Sequence, residues 1–308
     1  TFEKIARHWH EHRGSHLNQK YHKQCLVRLE QHVFPKLGVL PISEITIPDV
    51  VRVVEGIGKN GTVATARWAK QAIGQIFRYA AQRGMCQFNP AADVRDVLPK
   101  TDKKHYACIR PEELPQLLIA MKEYKGGHLT NAAMNLLALT FVRTGELIGA
   151  QWTEIDFARK EWNIPKERMK MRRPHVVPLS RQALSVLKEL HELTGTKIHV
   201  FHSQRGSLKH ISNGAVLMAL RRMGYQNRMT GHGFRSLAST ILNEKGYPPD
   251  VIERQLAHQD EDKIRSAYNR AEYLLERKKM MQDYADYLDS QLTNPDNVVQ
   301  AHFTKAKK

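Results

Sequence analysis

Cysteine is scarce in this chain and poorly spaced for its usual structural roles. Cys25, Cys86 and Cys108 contain no CxxC pair, and any disulfide would leave one thiol over, which argues against a disulfide framework or a cysteine zinc site. They read as reduced structural thiols. No apolar run approaches the roughly 18 residues that span a bilayer, and the first residues lack the apolar core of a secretory signal. The expectation is a soluble, cytoplasmic protein with no membrane partner. There is no HExxH and no paired-carboxylate motif of a two-metal nuclease, so neither a metal nor another cofactor is expected. Gly56 to Thr62 is glycine-rich but lacks GxxxxGK[ST] spacing, and reads as a turn. Internal repeats are absent.

Acidic residues are also in short supply. Against 48 Lys and Arg stand 31 Asp and Glu, a net charge of +17, with an isoelectric point near 9.8. Such a field favours a polyanionic partner. A duplex offers one charge per roughly 1.7 Å of axis, and basic side chains gain affinity there by releasing condensed counterions. RNA or an anionic membrane would answer the charge equally well.

At 308 residues the chain should form about two domains. The polar run Pro99-Lys100-Thr101-Asp102-Lys103-Lys104-His105 marks a basic linker over 99–109. Before it the pattern is helical throughout, giving a domain over 1–98. Phe2, Ile5 and Trp9 share one face, and Cys25, Leu26, Leu29 and Val33 another. A third helix begins at Pro48, and a fourth runs from Thr62 to Arg83. Its apolar side is Ala66, Ile73, Phe77 and Ala80. A different face carries Arg67, Gln71, Gln75 and Arg78, a stripe able to contact base edges in a DNA groove or simply to be solvated.

After the linker the pattern is mixed. Leu114, Leu117, Leu118 and Met121 mark one helix, and Ala132 to Leu139 another ending near Arg143. Ile155 with Phe157, Trp162 with Ile164, and Val176 with Val177 read as three antiparallel strands. Ser180 N-caps a helix with Ala183, Val186, Leu187, Leu190 and Leu193 as its apolar stripe. A last helix from Tyr273 to Leu288 carries Leu274, Met281, Tyr284 and Leu288, placing a second domain over 110–290 and a flexible tail over 291–308.

Five clusters fall in fixed order through this second region. They are Thr140-Phe141-Val142-Arg143-Thr144-Gly145-Glu146-Leu147; Lys170, eight residues before Pro178; His232-Gly233-Phe234-Arg235; Leu256-Ala257-His258; and Tyr268. In that order they resemble the tyrosine recombinases, in particular integrases of genomic islands and temperate phages, over about residues 130–288. Residues 1–98 resemble the helical core-binding (SAM-like) DNA-binding domain of the same family. The implied fold is mainly α with a small antiparallel β-sheet, in a two-domain clamp: a helical core-binding domain and a mixed α/β catalytic domain. Many relatives carry a further N-terminal domain for accessory arm sites; with Thr1 rather than Met first, the expectation is a fragment. Where relatives show proline after Val-Phe, this chain has Val200-Phe201-His202, so His202 is an extra histidine of unassigned use.

By the resemblance, Arg143 and Arg235 clamp the scissile phosphate. A guanidinium presents paired donors and keeps its charge. Lys170 protonates the departing 5′ oxygen, because a general acid improves an alkoxide leaving group. His232 and His258 approach the same phosphate, and Glu146 supports Arg143. Tyr268, ten residues after His258, is the nucleophile, with Tyr273 the runner-up; a phenol of pKa near 10 needs cationic neighbours to be useful. Arg172 and Arg173 are further candidates for DNA contact.

The implied activity is site-specific DNA recombination through a covalent 3′-phosphotyrosyl intermediate, for integration or excision of a mobile element, without metal or ATP. The implied partners are double-stranded attachment sites, a DNA-dependent homotetramer, a directionality factor and a DNA-bending host protein. The implied location is a bacterial, nucleoid-associated cytoplasm. A non-catalytic DNA-binding regulator and a type IB topoisomerase-like enzyme are the competing readings.

Overall fold

Two amphipathic patterns separated by a basic stretch become two structural units. A computed structural model describes residues 1–14, 19–60, 62–94, 97–99, 106–203, 210–258 and 273–293. The chain divides into Thr1–Lys104 and His105–Lys308.

The first unit is helical: α1 (Phe2–Gly14), α2 (Gln19–His32), the single turn α3 (Phe34–Leu37), α4 (Ile47–Asn60) and α5 (Val63–Ala81). Phe2 centres its core, 6.5 Å from the Phe34 ring and 5.8 Å from that of Phe77. Full burial of each aromatic contributes about 1.5–3 kcal/mol. The Thr62 hydroxyl caps α5 by accepting from the Thr65 amide at 3.2 Å. Just beyond the helix Gly84 turns the chain at φ +69°, a conformation that favours glycine. The glycine-rich segment expected as a turn is helical through Asn60 instead. Val50, Val53, Val54 and Ile57 bury one stripe of α4, and that burial outweighs the roughly 1 kcal/mol cost of each helical glycine.

The second unit is built around α7 (His128–Thr140), whose residues from Ala132 to Leu139 are buried apart from Asn135. Against it pack α6 (Leu114–Lys122), α8 (Thr144–Ile148), α9 (Arg181–Thr194), α10 (Gly214–Arg222), α11 (Gly233–Glu244) and α13 (Leu274–Thr293). The short α12 (Pro249–Gln255) packs on α11 and α13. A meander of β1 (Ile155–Asp156), β2 (Glu161–Ile164) and β3 (His175–Pro178) is antiparallel, with Ile155 opposite Trp162 and Trp162 opposite Val177. The fold is therefore mainly helical with one small antiparallel sheet.

Two boundaries and one buried position differ from the sequence reading. Residues 106–109, expected in the linker, belong to the second unit: Ile109 is in its core and Cys108 Sγ donates to Gly233 O at 3.2 Å. Residues 291–293, expected in the tail, complete α13; residues 294–308 lie outside the described residues. Leu193, expected on the buried stripe of α9, is 61 % exposed. The stripe runs on from Leu190 to Thr194, whose hydroxyl donates to Leu190 O and Val200 O, because a step of four residues stays closer to the buried line than a step of three.

Candidate active site

Arg143 is the N-cap residue of α8, where the chain leaves α7 through Phe141 in the left-handed region at φ 40°. Its Nη1 donates to Glu146 Oε1 at 2.8 Å, and its backbone amide donates to Glu146 Oε2 at 3.0 Å. Glu146 is 5 % exposed. One carboxylate thus holds both ends of Arg143, from the next turn of backbone.

Arg235, on the first turn of α11, is 3 % exposed. Nη1 donates to Phe141 O at 2.7 Å and Nη2 to Leu256 O at 2.5 Å. Its Nε has no partner among the described residues. Burial, and then Arg143 nearby, push the guanidinium pKa down to about 10, which still leaves it charged at neutral pH.

His258 joins this pair: its Nε2 lies 3.3 Å from Arg235 Nη2 and its Nδ1 2.7 Å from Glu253 Oε2. Because a guanidinium can only donate and a carboxylate only accept, Nε2 carries the lone pair and Nδ1 the proton. His232 occupies the N-cap position of α11 without a side-chain capping bond, its ring centroid 4.5 Å from that of Tyr106. Burial first, then Arg235, Arg143, His258 and Lys170, hold its pKa below the ordinary imidazole value. It is therefore a neutral group in a cationic surrounding. A Cβ on Gly233, the next residue, would stand 2.7 Å from Ala107 O; only glycine lets residue 107 close over this turn.

The second unit thus gathers Arg143, Arg235, His232 and His258, with Lys170 within electrostatic reach of His232. Lys170 is exposed on the β2–β3 connection. Tyr268 lies outside the described residues. Tyr273, its runner-up, immediately precedes α13 at φ 46°. The described residues hold no cluster of metal-ligating side chains. Such a site can bind a phosphate through its guanidinium donors, accept a proton at a neutral imidazole and donate one from an exposed ammonium.

The candidate DNA contacts divide. Arg172 and Arg173 are exposed beside Lys170. Gln71 and Arg78 are exposed on α5 and, with Arg67, Lys70 and Asn89, line a cavity of about 550 Å³ in the first unit. Gln75 instead accepts from Arg13 Nη1 at 2.6 Å, and Arg67 donates to Pro99 O at 2.5 Å. Both are tied to their own unit. His202 forms an isolated backbone bridge with His210, away from the gathered residues in sequence.

Two supports escaped the sequence reading. Arg168, not singled out there, is ion-paired with Glu154 and donates to Glu146 O, bracing α8 from the sheet side. Trp162 Nε1 shares Glu154, donating at 2.9 Å. Tyr106 covers His232 but fell in the expected linker. Helical periodicity carries no signal for either, since Arg168 ends a three-residue 3-10 turn and Tyr106 lies outside any helix.

Residues 2–97 match the family described as phage integrase central domain, and residues 107–274 match the phage integrase family. The prophage integrase IntA of Escherichia coli K12 is 36 % identical over 307 residues, covering 100 % of this chain and 74 % of that protein. The prophage integrase IntZ of the same strain is 40 % identical over 297 residues, covering 96 % and 73 %. The integrase of enterobacteria phage P4 is 36 % identical over 305 residues, covering 94 % and 69 %. Among solved structures, a lambda integrase dimer bound to a core site superimposes with a TM-score of 0.66 at 18 % identity, covering 87 % of this chain and 95 % of that one. The Tn1549 transposon integrase in complex with circular intermediate DNA gives 0.64 at 17 %, covering 91 % and 99 %. The fold and the relatives are those of a tyrosine recombinase, an enzyme of site-specific DNA recombination. The chain belongs to the phage integrase family.

Proposed function

We propose that Tyr268 attacks a phosphodiester held by Arg143 and Arg235, forming a 3′-phosphotyrosyl bond while the bond from phosphorus to the 5′ oxygen breaks. Lys170 supplies the proton that the departing 5′ oxygen takes up. His232, neutral in its cationic surroundings, accepts the phenolic proton, and His258, braced by Glu253, completes the phosphate cradle. The free 5′ hydroxyl of a partner strand then attacks the phosphotyrosyl bond and releases the phenol. One phosphodiester replaces another, so the exchange needs no ATP.

The observation that carries this reading is the convergence of two arginines and two histidines from α8, α11 and the end of α12. Two guanidinium groups drawn together, of which only that of Arg143 is ion-paired with a carboxylate among the described residues, make a phosphate the fitting occupant. The partner is DNA, as it is for the related integrases whose structures contain it. Duplex attachment sites, action as a DNA-dependent tetramer, and help from a directionality factor and a DNA-bending protein complete the proposal. So does work in the bacterial cytoplasm on nucleoid DNA; no helix among the described residues is long and apolar enough to cross a membrane.

The test is covalent trapping on a nicked core-site duplex, found by mapping the ends of the source element, comparing the protein with Tyr268→Phe on a denaturing gel. An adduct in the unmodified protein alone supports the assignment. Adducts in both transfer it to Tyr273 or another tyrosine, whereas salt-sensitive binding without any adduct favours a regulator.

A further inference from the structure

Among the described residues of the second unit, the most deeply buried charge has no part in the chemistry above. Arg277, on α13, is 0 % exposed. Its Nε and Nη2 both donate to Gln255 Oε1, at 3.0 and 2.7 Å, and Nη2 also donates to Val176 O on β3. Burying a guanidinium costs several kcal/mol in desolvation, and apolar groups of similar volume often serve stability as well or better. Stability alone therefore does not account for an arginine here, beside Met280, Met281 and Tyr284 on the buried face of α13.

Its contacts lead straight to the site. Gln255 is 1 % exposed and ends α12. From there three consecutive carbonyls fan out. Gln255 O accepts from His175 Nε2 at 3.1 Å, Leu256 O from Arg235 Nη2 at 2.5 Å, and Ala257 O from Arg143 Nη2 at 3.5 Å. The Gln255 side chain meanwhile reaches back through Nε2 to Thr140 O at 3.4 Å, three residues before Arg143. The carbonyls that end a helix carry its negative pole, so α12 offers both clamp arginines an anchor that leaves their charge uncancelled. In sequence, residues 255 and 277 stand on either side of Tyr268.

We propose that Arg277 and Gln255 form a buried clasp that positions the catalytic set. By fixing the end of α12, the clasp sets where Leu256 O and Ala257 O hold Arg235 and Arg143, and where His258 meets Arg235. Arg277 is a positioning residue, acting through Gln255, and the inference rests on the recombinase reading above. It assigns the C-terminal helix a role in its own subunit's chemistry.

The test measures single-turnover cleavage of the nicked duplex at saturating DNA, alongside DNA affinity and melting temperature, for Arg277→Met, Gln255→Leu, Gln255→Glu and the double variant Arg277→Met with Gln255→Leu. A displacement of about 1 Å at a reacting centre costs about 10²-fold in rate. That loss is expected for Arg277→Met and for Gln255→Leu, with DNA affinity unchanged because neither side chain reaches the surface. The double variant should lose much less than the product of the two single losses, since both break the shared contact, with only the separate holds on Val176 O and Thr140 O left to add. Gln255→Glu keeps an acceptor for Arg277 but gives up the donor to Thr140 O, so it should recover part of the rate that Gln255→Leu loses.

Wild-type cleavage by Arg277→Met, or losses that multiply in the double variant, would overturn the clasp. If Arg277→Met fails to fold, the comparison of Gln255→Leu with Gln255→Glu decides, and equal rates for those two overturn it. Failure of the unmodified protein to cleave would instead remove the recombinase reading itself.

Discussion

Replacing Glu146 by alanine should disable Arg143 without touching it. The carboxylate makes two contacts in the structure: one with the Arg143 guanidinium and one with the Arg143 amide at the start of α8. The first is a charge-assisted bond of about 1.5–3 kcal/mol, and the second acts as an N-terminal cap of about 0.5–2 kcal/mol. The Arg143 side chain is 24 % exposed, so water recovers part of the loss, and the low end of the sum, about 2 kcal/mol, is expected. For a unit of this size that is a fall of about 4–8 °C in Tm. Activity should suffer more than stability does. An arginine no longer held in place keeps its charge but loses preorganisation, so single-turnover cleavage at saturating DNA should drop by about 10- to 100-fold. That is less than the 10²–10³ expected on removing the arginine donor outright. Glu146→Gln keeps one good acceptor and should fall between. In an Arg143→Ala background Glu146→Ala should add no further loss of rate. A further tenfold loss in that background would refute the reasoning, because Glu146 would then act on the reaction by a route that bypasses Arg143.

Gly233→Ala should cost about 1–3 kcal/mol, the usual range for overpacking, because the new methyl meets Ala107 O at 2.7 Å; thermal melting will show it, and an unchanged Tm would mean that residue 107 yields freely. Leu193→Lys should change stability by no more than about 0.5 kcal/mol, the ordinary range for a surface position, which denaturant unfolding can check. Acid sensitivity should depend on His175, whose pKa burial and Arg277 push down to about 3. Its folded form takes up a proton less readily than the unfolded chain, so its contribution is complete above about pH 6.5 and is lost as pH falls toward 3. The gap corresponds to about 4–5 kcal/mol by linkage at 1.36 kcal/mol per unit. His175→Gln, which keeps a donor for Gln255 O, should flatten that part of the stability profile; an identical acid limb would show that His175 is not its source.

The periodic parts of this chain were open to sequence reading. The stripe of α5 and the Ser180 cap of α9 follow from local rules: spacing near 3.6 residues and an oxygen placed to accept from an early amide. The three strands follow from alternation and turn residues. What sequence reading misses depends on long-range partners. Arg168 reads as one more positive charge in a basic hairpin, yet it binds Glu154 and the carbonyl of Glu146. Gln75 reads as part of a groove-facing stripe until Arg13, 62 residues earlier, claims its oxygen. Arg277 did leave a trace. It falls on the line Arg277, Met281, Tyr284, Leu288, all buried, and an arginine at an apolar position of an otherwise amphipathic helix signals a buried partner.

Local rules fail most where the site is assembled. Among the described residues six non-glycine positions have positive φ, and four of them adjoin the proposed site: Phe141, Arg172, Ala257 and Tyr273. Phe141 lies two residues before Arg143, Arg172 two after Lys170, Ala257 one before His258, and Tyr273 opens the helix that carries Arg277. A residue of this kind in the left-handed region costs of order 1 kcal/mol or more and persists only where its surroundings hold it. Two of the four are held by the clamp arginines themselves. Phe141 has its ring edge-on to that of Tyr284, 5.4 Å away, and its carbonyl on Arg235; Ala257 has its carbonyl on Arg143. The guanidinium groups that would clamp the phosphate also hold the backbone turns that present them. Removing either arginine should therefore loosen the site's frame as well as its charge, and a substitution that relaxes one of these turns, such as Ala257→Gly, should slow cleavage while every charged side chain remains in place.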